Sequence, residues 1–263
     1  MKRYISILTI WTLAALITWA AEPVNKQQGC ENWENFIHNI ECYGRIGYAI
    51  GGTAPLGMPA TIRGLNKFQL QPNVSFGADA IKPINSRWGI LAGIHFENKG
   101  MHIDAQVKNY HMQITQGGQT LEGMFTGKND SHAVQWMFTL PLQGVYRFSD
   151  KCKLKFGPYF SYLTDRRFEG FAYDGYLRVD NPTGDKVLLG TGEDERGDYD
   201  FRDDIRPLQW GLDLGVDYFF ARRIGIYADL AWGMSGFFKN SFKTLDQTLY
   251  PIYGIVGITY KFR

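Results

Sequence analysis

The sequence predicts an all-β fold: an eight-stranded antiparallel transmembrane β-barrel with long extracellular loops and short periplasmic turns. Apolar residues alternate with polar residues or glycine over long stretches, most clearly in 208–220, 224–234 and 252–262, and side chains of a strand alternate between its two faces. These stretches match the roughly 9–11 residues with which a tilted strand crosses a bilayer. The connections between such stretches are alternately short and long, as in outer-membrane barrels.

Eight alternating stretches follow one another along the chain. The predicted strands are 43–52, 71–81, one that begins at residue 88, 134–148, 151–163, 208–220, 224–234 and 252–262. The third can continue past Gly100 to Ile114. The long connections are 53–70, 115–131, 164–206 and 236–251. An even number of strands that close on themselves leaves no open edge in lipid, and short turns of such barrels face the periplasm, where both termini are expected.

The three strands 208–220, 224–234 and 252–262 each have one apolar face with aromatic residues towards its end. In strand 208–220 this face contains Trp210 and ends at Tyr218 and Phe220, while Asp213 and Asp217 lie on the other face. Membrane barrels place aromatic residues at the two water interfaces of the lipid-facing band. The apolar face is therefore expected to contact lipid, and the face rich in glycine and charge to line a small lumen.

The N-terminus has the pattern of a secretory leader. Lys2 and Arg3 precede a mostly apolar run, 5–20, which ends in a small-x-small cleavage pattern at 18–20. This predicts a cleaved signal peptide, with a retained anchor as the alternative. The expected organisation is a signal peptide at 1–20, a short periplasmic segment at 21–42 and the barrel at 43–263. The net charge of +2 gives no electrostatic reason to expect a nucleic-acid partner.

Three cysteines, Cys30, Cys42 and Cys152, follow the leader. In an oxidising compartment an odd number leaves one cysteine free. A disulfide between Cys30 and Cys42 would close the short segment between them, and three reduced cysteines are the alternative. No cysteine and histidine spacing resembles a metal site, and the sequence predicts neither a cofactor nor a metal.

Charged residues of both signs fall on the faces that are predicted to line the lumen. Five are basic and five are acidic: Arg45, Arg147, Lys153, Lys155 and Lys261 against Asp79, Glu97, Asp213, Asp217 and Asp229. An eight-stranded barrel is just wide enough to be filled by side chains, and buried charges need partners. We therefore expect a solid core of paired charges, with a proton or solute path as the alternative.

Two stretches also admit a chemical interpretation. His95 lies inward beside Glu97, a pair that a lipid-modifying barrel enzyme could use, but no Ser–His pairing at strand spacing accompanies it. The acidic segment 192–204 in connection 164–206 could hold calcium through its oxygens, yet it lacks the regular spacing of a calcium loop. We favour a lumen histidine and a solvated loop. The Tyr173, Tyr176, Tyr199 and Phe201 side chains of this loop could offer a binding surface to a partner.

Three short motifs resemble a known family. Segments 138–142 (Phe-Thr-Leu-Pro-Leu), 156–159 (Phe-Gly-Pro-Tyr) and 213–215 (Asp-Leu-Gly) are similar to strand motifs of the small outer-membrane β-barrels of the Bacteroidota, the porin-family or PorT-like barrels. The resemblance extends over about 43–263. It implies an outer-membrane location and a lipid environment, and it leaves function open because the family is functionally mixed.

The last predicted strand resembles the C-terminal signal that the barrel-assembly machinery reads. Gly257 is followed by aromatic residues three and five places on, Tyr260 and Phe262. The chain departs from this pattern at Arg263, because an aromatic residue usually comes last. The resemblance implies that the assembly machinery is a partner during insertion.

The expected function is that of a non-enzymatic outer-membrane protein. It would act through its surface loops or its periplasmic segment as a structural, adhesive, assembly or secretion component, with an envelope or secretion protein as a candidate partner. A narrow channel for small solutes is the alternative, and an outer-membrane lipid-modifying enzyme is a further one.

Overall fold

The computed structural model describes residues 39–57, 59–245 and 247–262. This part of the chain forms eleven β-strands: β1 (Glu41–Pro55), β2 (Ile62–Gln69), β3 (Val74–Pro83), β4 (Trp88–Gln116), β5 (Gln119–Arg147), β6 (Cys152–Val179), β7 (Lys186–Leu189), β8 (Gly197–Asp200), β9 (Leu208–Phe219), β10 (Ile224–Gly233) and β11 (Leu249–Lys261). A 3-10 turn spans Arg202–Asp204. No helix in the described ranges is long and apolar enough to span a membrane.

Eight of the strands close into an antiparallel ring. Their order is β4-β3-β1-β11-β10-β9-β6-β5, and pairing between β4 and β5 completes the ring. The first and last strands pair along their whole length, from Tyr43 opposite Lys261 to Pro55 opposite Leu249. This confirms the predicted eight-stranded barrel, in which no ring strand has an unpaired edge.

The two faces of the ring differ as the alternation predicts. In β9 the Leu214 side chain points outward and is 54% exposed, whereas Asp213 points inward and is 7% exposed. Aromatic pairs mark both rims of the outward band: Trp88 and Tyr146 have ring centroids 4.8 Å apart at one rim, and Phe96 stacks on Trp136 at 5.2 Å at the other.

The two ends of the barrel are different. Short turns join β3 to β4, β5 to β6 and β9 to β10 at one end, which we call the turn end. The turn between β3 and β4 is closed by local hydrogen bonds, since Asn85 Oδ1 accepts from the backbone nitrogens of Arg87 and Trp88 at 2.9 and 2.8 Å. Asparagine suits this role because its side chain can accept from backbone groups two residues on.

The long connections expected at the other end are largely ordered β-structure. Residues 115–131 do not form a loop: β4 runs to Gln116, β5 starts at Gln119, and Gly117 and Gly118 form the turn between them with φ of +58° and +79°. Both angles lie in the region that glycine adopts without steric cost. Likewise, β6 continues to Val179 within the connection expected at 164–206, and β7 and β8 follow it.

These strands were predicted as loops because the chemistry of the inward face changes along them. Within the bilayer the inward residues of β4 are polar, as at His95 and Glu97, but Met101, Ala105 and Val107 continue the same face as buried apolar residues. Outside lipid a strand faces water on its outer side, so its apolar side chains must turn inward. The alternation persists, but the apolar residues now lie on the inward face, whereas in a lipid-crossing strand they lie on the outward face.

Several predictions from the N-terminus lie outside the described residues. These are the signal peptide at 1–20, most of the segment 21–42, and Cys30. The proposed disulfide between Cys30 and Cys42 stays a prediction. Glu41 and Cys42, assigned to that segment by the sequence, belong to β1.

A closed barrel has a simple electrophoretic consequence. We expect an unheated sample in denaturing detergent to migrate differently from a boiled one, because a ring with every strand paired resists unfolding until heated. Identical migration of the two samples, together with recovery in the soluble fraction, would contradict a membrane barrel.

Candidate functional site

Charged side chains from separate strands meet at the centre of the lumen. Arg45 on β1 lies 3.3 Å from Asp79 on β3, 2.6 Å from Asp229 on β10 and 3.8 Å from Asp217 on β9. Its guanidinium group also lies 3.7 Å from the ring centroid of Tyr227. A planar guanidinium with several donors can serve three carboxylates at once, so Arg45 connects β1 to three other strands of the ring.

Two further side chains complete this central cluster. Lys155 on β6 lies 2.7 Å from Asp217 and 3.1 Å from Asp229. His95 Nε2 lies 2.7 Å from Asp79 Oδ1. The structure therefore brings together five of the predicted lumen charges: Arg45, Asp79, Lys155, Asp217 and Asp229. His95 contacts this cluster more closely than it contacts Glu97, whose carboxylate lies 4.0 Å from Nδ1.

A second polar layer lies on the side of the cluster away from the turns. Glu97 pairs with Lys99 at 2.9 Å and accepts hydrogen bonds from Ser75 at 3.2 Å and Thr139 at 2.9 Å. Thr139 in turn contacts Ser161 at 2.8 Å. Lys99 was missed by the sequence reasoning, although it occupies the next inward position after His95 and Glu97.

A third layer closes the turn end. Glu41 accepts from Arg147 at 2.8 Å, from Lys261 at 2.8 Å and from Lys153 at 3.3 Å, and the Tyr43 hydroxyl donates to it at 2.7 Å. Lys153 also donates to the Tyr43 hydroxyl. Three predicted basic residues thus share one carboxylate, which the sequence reasoning had assigned to the preceding segment.

The remaining predicted charge, Asp213, forms no ion pair with the described residues. Its side chain is buried, and Oδ1 has no hydrogen-bond partner among the described residues. It lines a cavity of about 10 Å³ together with Arg45, His95, Glu97 and Tyr227. Such a cavity has room for about one water molecule. The lumen is accordingly filled by side chains and has no space for a larger solute at this level.

The end of the barrel opposite the turns carries an ordered structure, which we call the cap. It comprises residues 98–134, 164–206 and 235–248 together with β2. Its core is apolar and contains Met101, Val107, Met112, Ile114, Phe125, Ala133, Phe168, Ala172, Leu177, Leu189, Tyr199, Phe201, Ile205, Phe237 and Phe238. Met137, Leu163 and Leu249 of the adjoining ring strands β5, β6 and β11 complete it. Residues from all of the predicted long connections except 53–70 supply buried side chains to this core.

Aromatic rings form the centre of the cap. Phe168 lies 5.2 Å from Phe238 and 5.7 Å from Phe237, measured between ring centroids. Phe201 packs on Tyr199 at 5.1 Å. The sequence suggested that Tyr173, Tyr176, Tyr199 and Phe201 offer a surface to a partner. Tyr199 and Phe201 are buried, whereas Tyr173 and Tyr176 are half-buried. Tilted and edge-to-face contacts at these distances are favourable for aromatic rings.

Strand β8 fixes the segment that the sequence assigned to a solvated loop. It pairs with β6, from Glu169 opposite Asp200 to Ala172 opposite Gly197. The Tyr199 hydroxyl contacts Ser131 Oγ at 2.7 Å and donates to the Asp130 carbonyl at 3.0 Å. Burial raises the pKa of Tyr199 above its ordinary value, so this hydroxyl stays protonated and keeps its donor.

The surface of the cap has an acidic groove beside β8. Its volume is about 520 Å³, and it is lined by Thr115, Asp130, His132, Glu169, Gly170, Phe171, Arg196, Asp198, Tyr199 and Asp200. Arg196 pairs with Asp198 at 2.8 Å, and Arg202 pairs with Asp200 at 2.7 Å. Although burial opposes it, hydrogen bonding from Arg202 holds the pKa of Asp200 below its ordinary value.

The calcium interpretation of this region finds no geometric support. Within 39–57, 59–245 and 247–262, no three His, Cys, Asp or Glu side chains are arranged to hold a metal ion. The carboxylates of Asp198 and Asp200 are held by arginines instead.

The fold and the outward apolar band agree with a comparison of the whole sequence against family models. The model of the outer membrane protein beta-barrel domain matches residues 26–239. The chain belongs to this family. Its location in the outer membrane follows, and the narrower PorT-like resemblance stays a prediction. No curated protein matches the sequence.

Several solved barrels of this kind resemble the chain at low identity. Ail, the attachment invasion locus protein of Yersinia pestis, is 13% identical over 84% of this chain and 98% of its own, with a TM-score of 0.37. CarO2 of Acinetobacter baumannii is 10% identical over 84% and 99%, with a TM-score of 0.39. OprG of Pseudomonas aeruginosa is 13% identical over 85% and 96%, with a TM-score of 0.31.

Proposed function

We propose that this outer-membrane barrel is a non-enzymatic surface protein with a structural or adhesive role, in which the ring is the anchor and the cap is the working part. One observation carries the proposal: the lumen is filled by paired charges, whereas the cap is ordered and grooved. The cavity in the lumen measures about 10 Å³, and the two grooves of the cap around β8 and β7 measure about 520 and 650 Å³.

The turns support an orientation with the cap on the cell surface. The three short turns and the described ends of the chain, near Glu41 and Phe262, lie at the same end of the ring. Outer-membrane barrels keep short turns in the periplasm and extend their longer connections outward. The cap would then stand on the cell surface, where loops on a rigid scaffold commonly carry binding.

The channel alternative predicts a measurable current, which our proposal excludes. We expect the purified protein in a planar bilayer to show no single-channel conductance above the baseline, because the three polar layers close the lumen. The double variant Arg45→Ala/Asp229→Ala removes central charges and tests whether they are the reason why the lumen does not conduct. Stable, discrete conductance of the unaltered protein would contradict the proposal and favour a channel.

The adhesive role is tested on intact cells. Cells that display the protein are expected to adhere to surfaces coated with mucin or collagen more than cells with an empty vector do. The Phe168→Ala variant, which removes the central ring of the cap core, is expected to lose this difference while its heat-dependent migration is retained. Equal adhesion of the variant and the parent, or no adhesion of the parent above the vector, would contradict an adhesive cap.

A further inference from the structure

The turn end of the barrel contains a vestibule that the cap does not use. Its volume is about 540 Å³, and its charged lining comprises Glu41, Asp150, Arg147, Lys151, Lys153, Arg222 and Lys261. Inward side chains of the strand ends form its floor, and residues of the turns 148–151 and 220–223 form its rim. The vestibule thus opens along the axis of the barrel toward the compartment at the turn end.

The charges of the vestibule are out of balance. Five of its side chains are cationic and two are carboxylates, so its formal charge is 5 − 2 = +3. Three of the cations converge on Glu41. The other two, Lys151 and Arg222, are exposed and form no ion pair with any residue in the described ranges. Cations of this density repel one another, so an additional anion is favoured here.

Glu41 shows how a carboxylate is held at this place. It receives charge-assisted hydrogen bonds of 2.8 Å from both Arg147 and Lys261, and such bonds are roughly twice as strong as neutral ones. A second carboxylate that entered the vestibule would meet Lys151 and Arg222 at the rim. Phe219 at the floor, 5.8 Å from the Tyr43 ring, offers an apolar contact for the methylene groups of an entering side chain.

The side from which the vestibule can be entered distinguishes a lipid headgroup from an anion of the aqueous compartment. Phospholipid lies against the outward face of the ring, where Trp88 and Tyr146 mark the rim, whereas the vestibule is lined from within. An occupant therefore arrives from the aqueous compartment. The available volume accommodates a few side chains of a peptide, and the donors match carboxylates.

We propose that the vestibule docks an acidic segment of a protein partner, one that presents at least two neighbouring Asp or Glu side chains at the turn end of the barrel. The docking depends on Lys151 and Arg222 at the rim and on the cations around Glu41 at the floor. It is independent of the cap.

The test uses the full chain in nanodiscs of phosphatidylcholine and a fluorescent hexaglutamate peptide, with binding followed by anisotropy. Binding is expected at low salt and should weaken as salt rises, since exposed charges are screened. The double variant Lys151→Gln/Arg222→Gln should lower the affinity about tenfold, because it removes two charged contacts. A matched control, Arg87→Gln/Arg223→Gln, removes the same charge from exposed positions at the same end but outside the vestibule, and should keep the affinity within about twofold.

Three results would overturn the proposal. These are no binding of hexaglutamate to the parent, an equal loss of affinity in both double variants, and equal binding of hexalysine. If the protein binds only to vesicles that contain phosphatidylglycerol and binds no peptide, the ligand of the vestibule is a lipid headgroup and not an acidic segment. Both double variants change exposed turn residues, and heat-dependent migration verifies that each barrel is folded.

Discussion

Replacing Arg45 by Met is expected to be among the most destabilising single changes in this barrel. The substitution leaves Asp79, Asp217 and Asp229 in the closed lumen. Among the described residues, Lys155 remains in contact with Asp217 and Asp229, and His95 with Asp79. Removing one partner of a buried ion pair costs about 3–5 kcal/mol, because the other charge stays buried and uncompensated. The free energy of unfolding is measured by urea titration of the reconstituted protein, followed through heat-dependent migration.

Two further variants make this prediction specific. Arg45→Met combined with Asp229→Asn should be less destabilised than Arg45→Met alone, since one of the orphaned carboxylates is neutralised. Arg63→Met, a loss of the same charge at an exposed position of β2, should change the free energy of unfolding by less than about 0.5 kcal/mol. Equal stability of Arg45→Met and Arg63→Met would show that the central cluster does not hold the ring together.

Replacing Phe168 by Ala is expected to unfold the cap and to leave the ring intact. Phe168 is 4% exposed and contacts the rings of Tyr199, Phe237 and Phe238. Truncating a buried Phe costs about 3–5 kcal/mol through lost burial and the cavity that remains. The effect should stay local because the cap core and the polar lumen share few buried apolar groups, and regions with separate cores can open separately.

Hydrogen exchange read out by mass spectrometry checks this prediction. Amides of β8 and of β6 beyond residue 168 should lose protection in Phe168→Ala, while those of β9 and β10 keep it. Phe148→Ala, the same truncation at a residue that is 73% exposed at the turn end, serves as the control and should change neither region. Unchanged protection of β8 in the Phe168 variant would mean that the cap is held by strand pairing and not by its core.

The sequence by itself determined the barrel. A period of two fixes which residues share a face, so the outward position of Leu214 and the inward position of Asp213 could be read from the order of residues alone. The turns between β5 and β6 and between β9 and β10 were also readable, since Ser149-Asp150 and Ala221-Arg222-Arg223 interrupt the alternation. The closure of eight strands follows because lipid cannot satisfy an open edge.

Tertiary structure decided which charges meet. Arg45 and Asp229 are 184 positions apart and bond at 2.6 Å because β1 and β10 both flank β11 in the closed ring. The period of two places both side chains in the lumen. Only the register of the paired strands determines where each side chain lies along the barrel axis. For the same reason the sequence could not show that Glu41 would serve three cations or that Asp213 would lack a partner.

The cap was decided by tertiary structure for a different physical reason. Its strands also alternate, with bulges as at Val107/Tyr110, but their apolar residues face inward, as at Met101. The outer side of the cap contacts water and not lipid. Phe168 and Phe201 come from connection 164–206 and Phe238 from connection 236–251, and each connection looks polar when it is read alone. These aromatic residues form a core only when the fold brings the connections together, because a single connection could not bury its aromatic residues by itself.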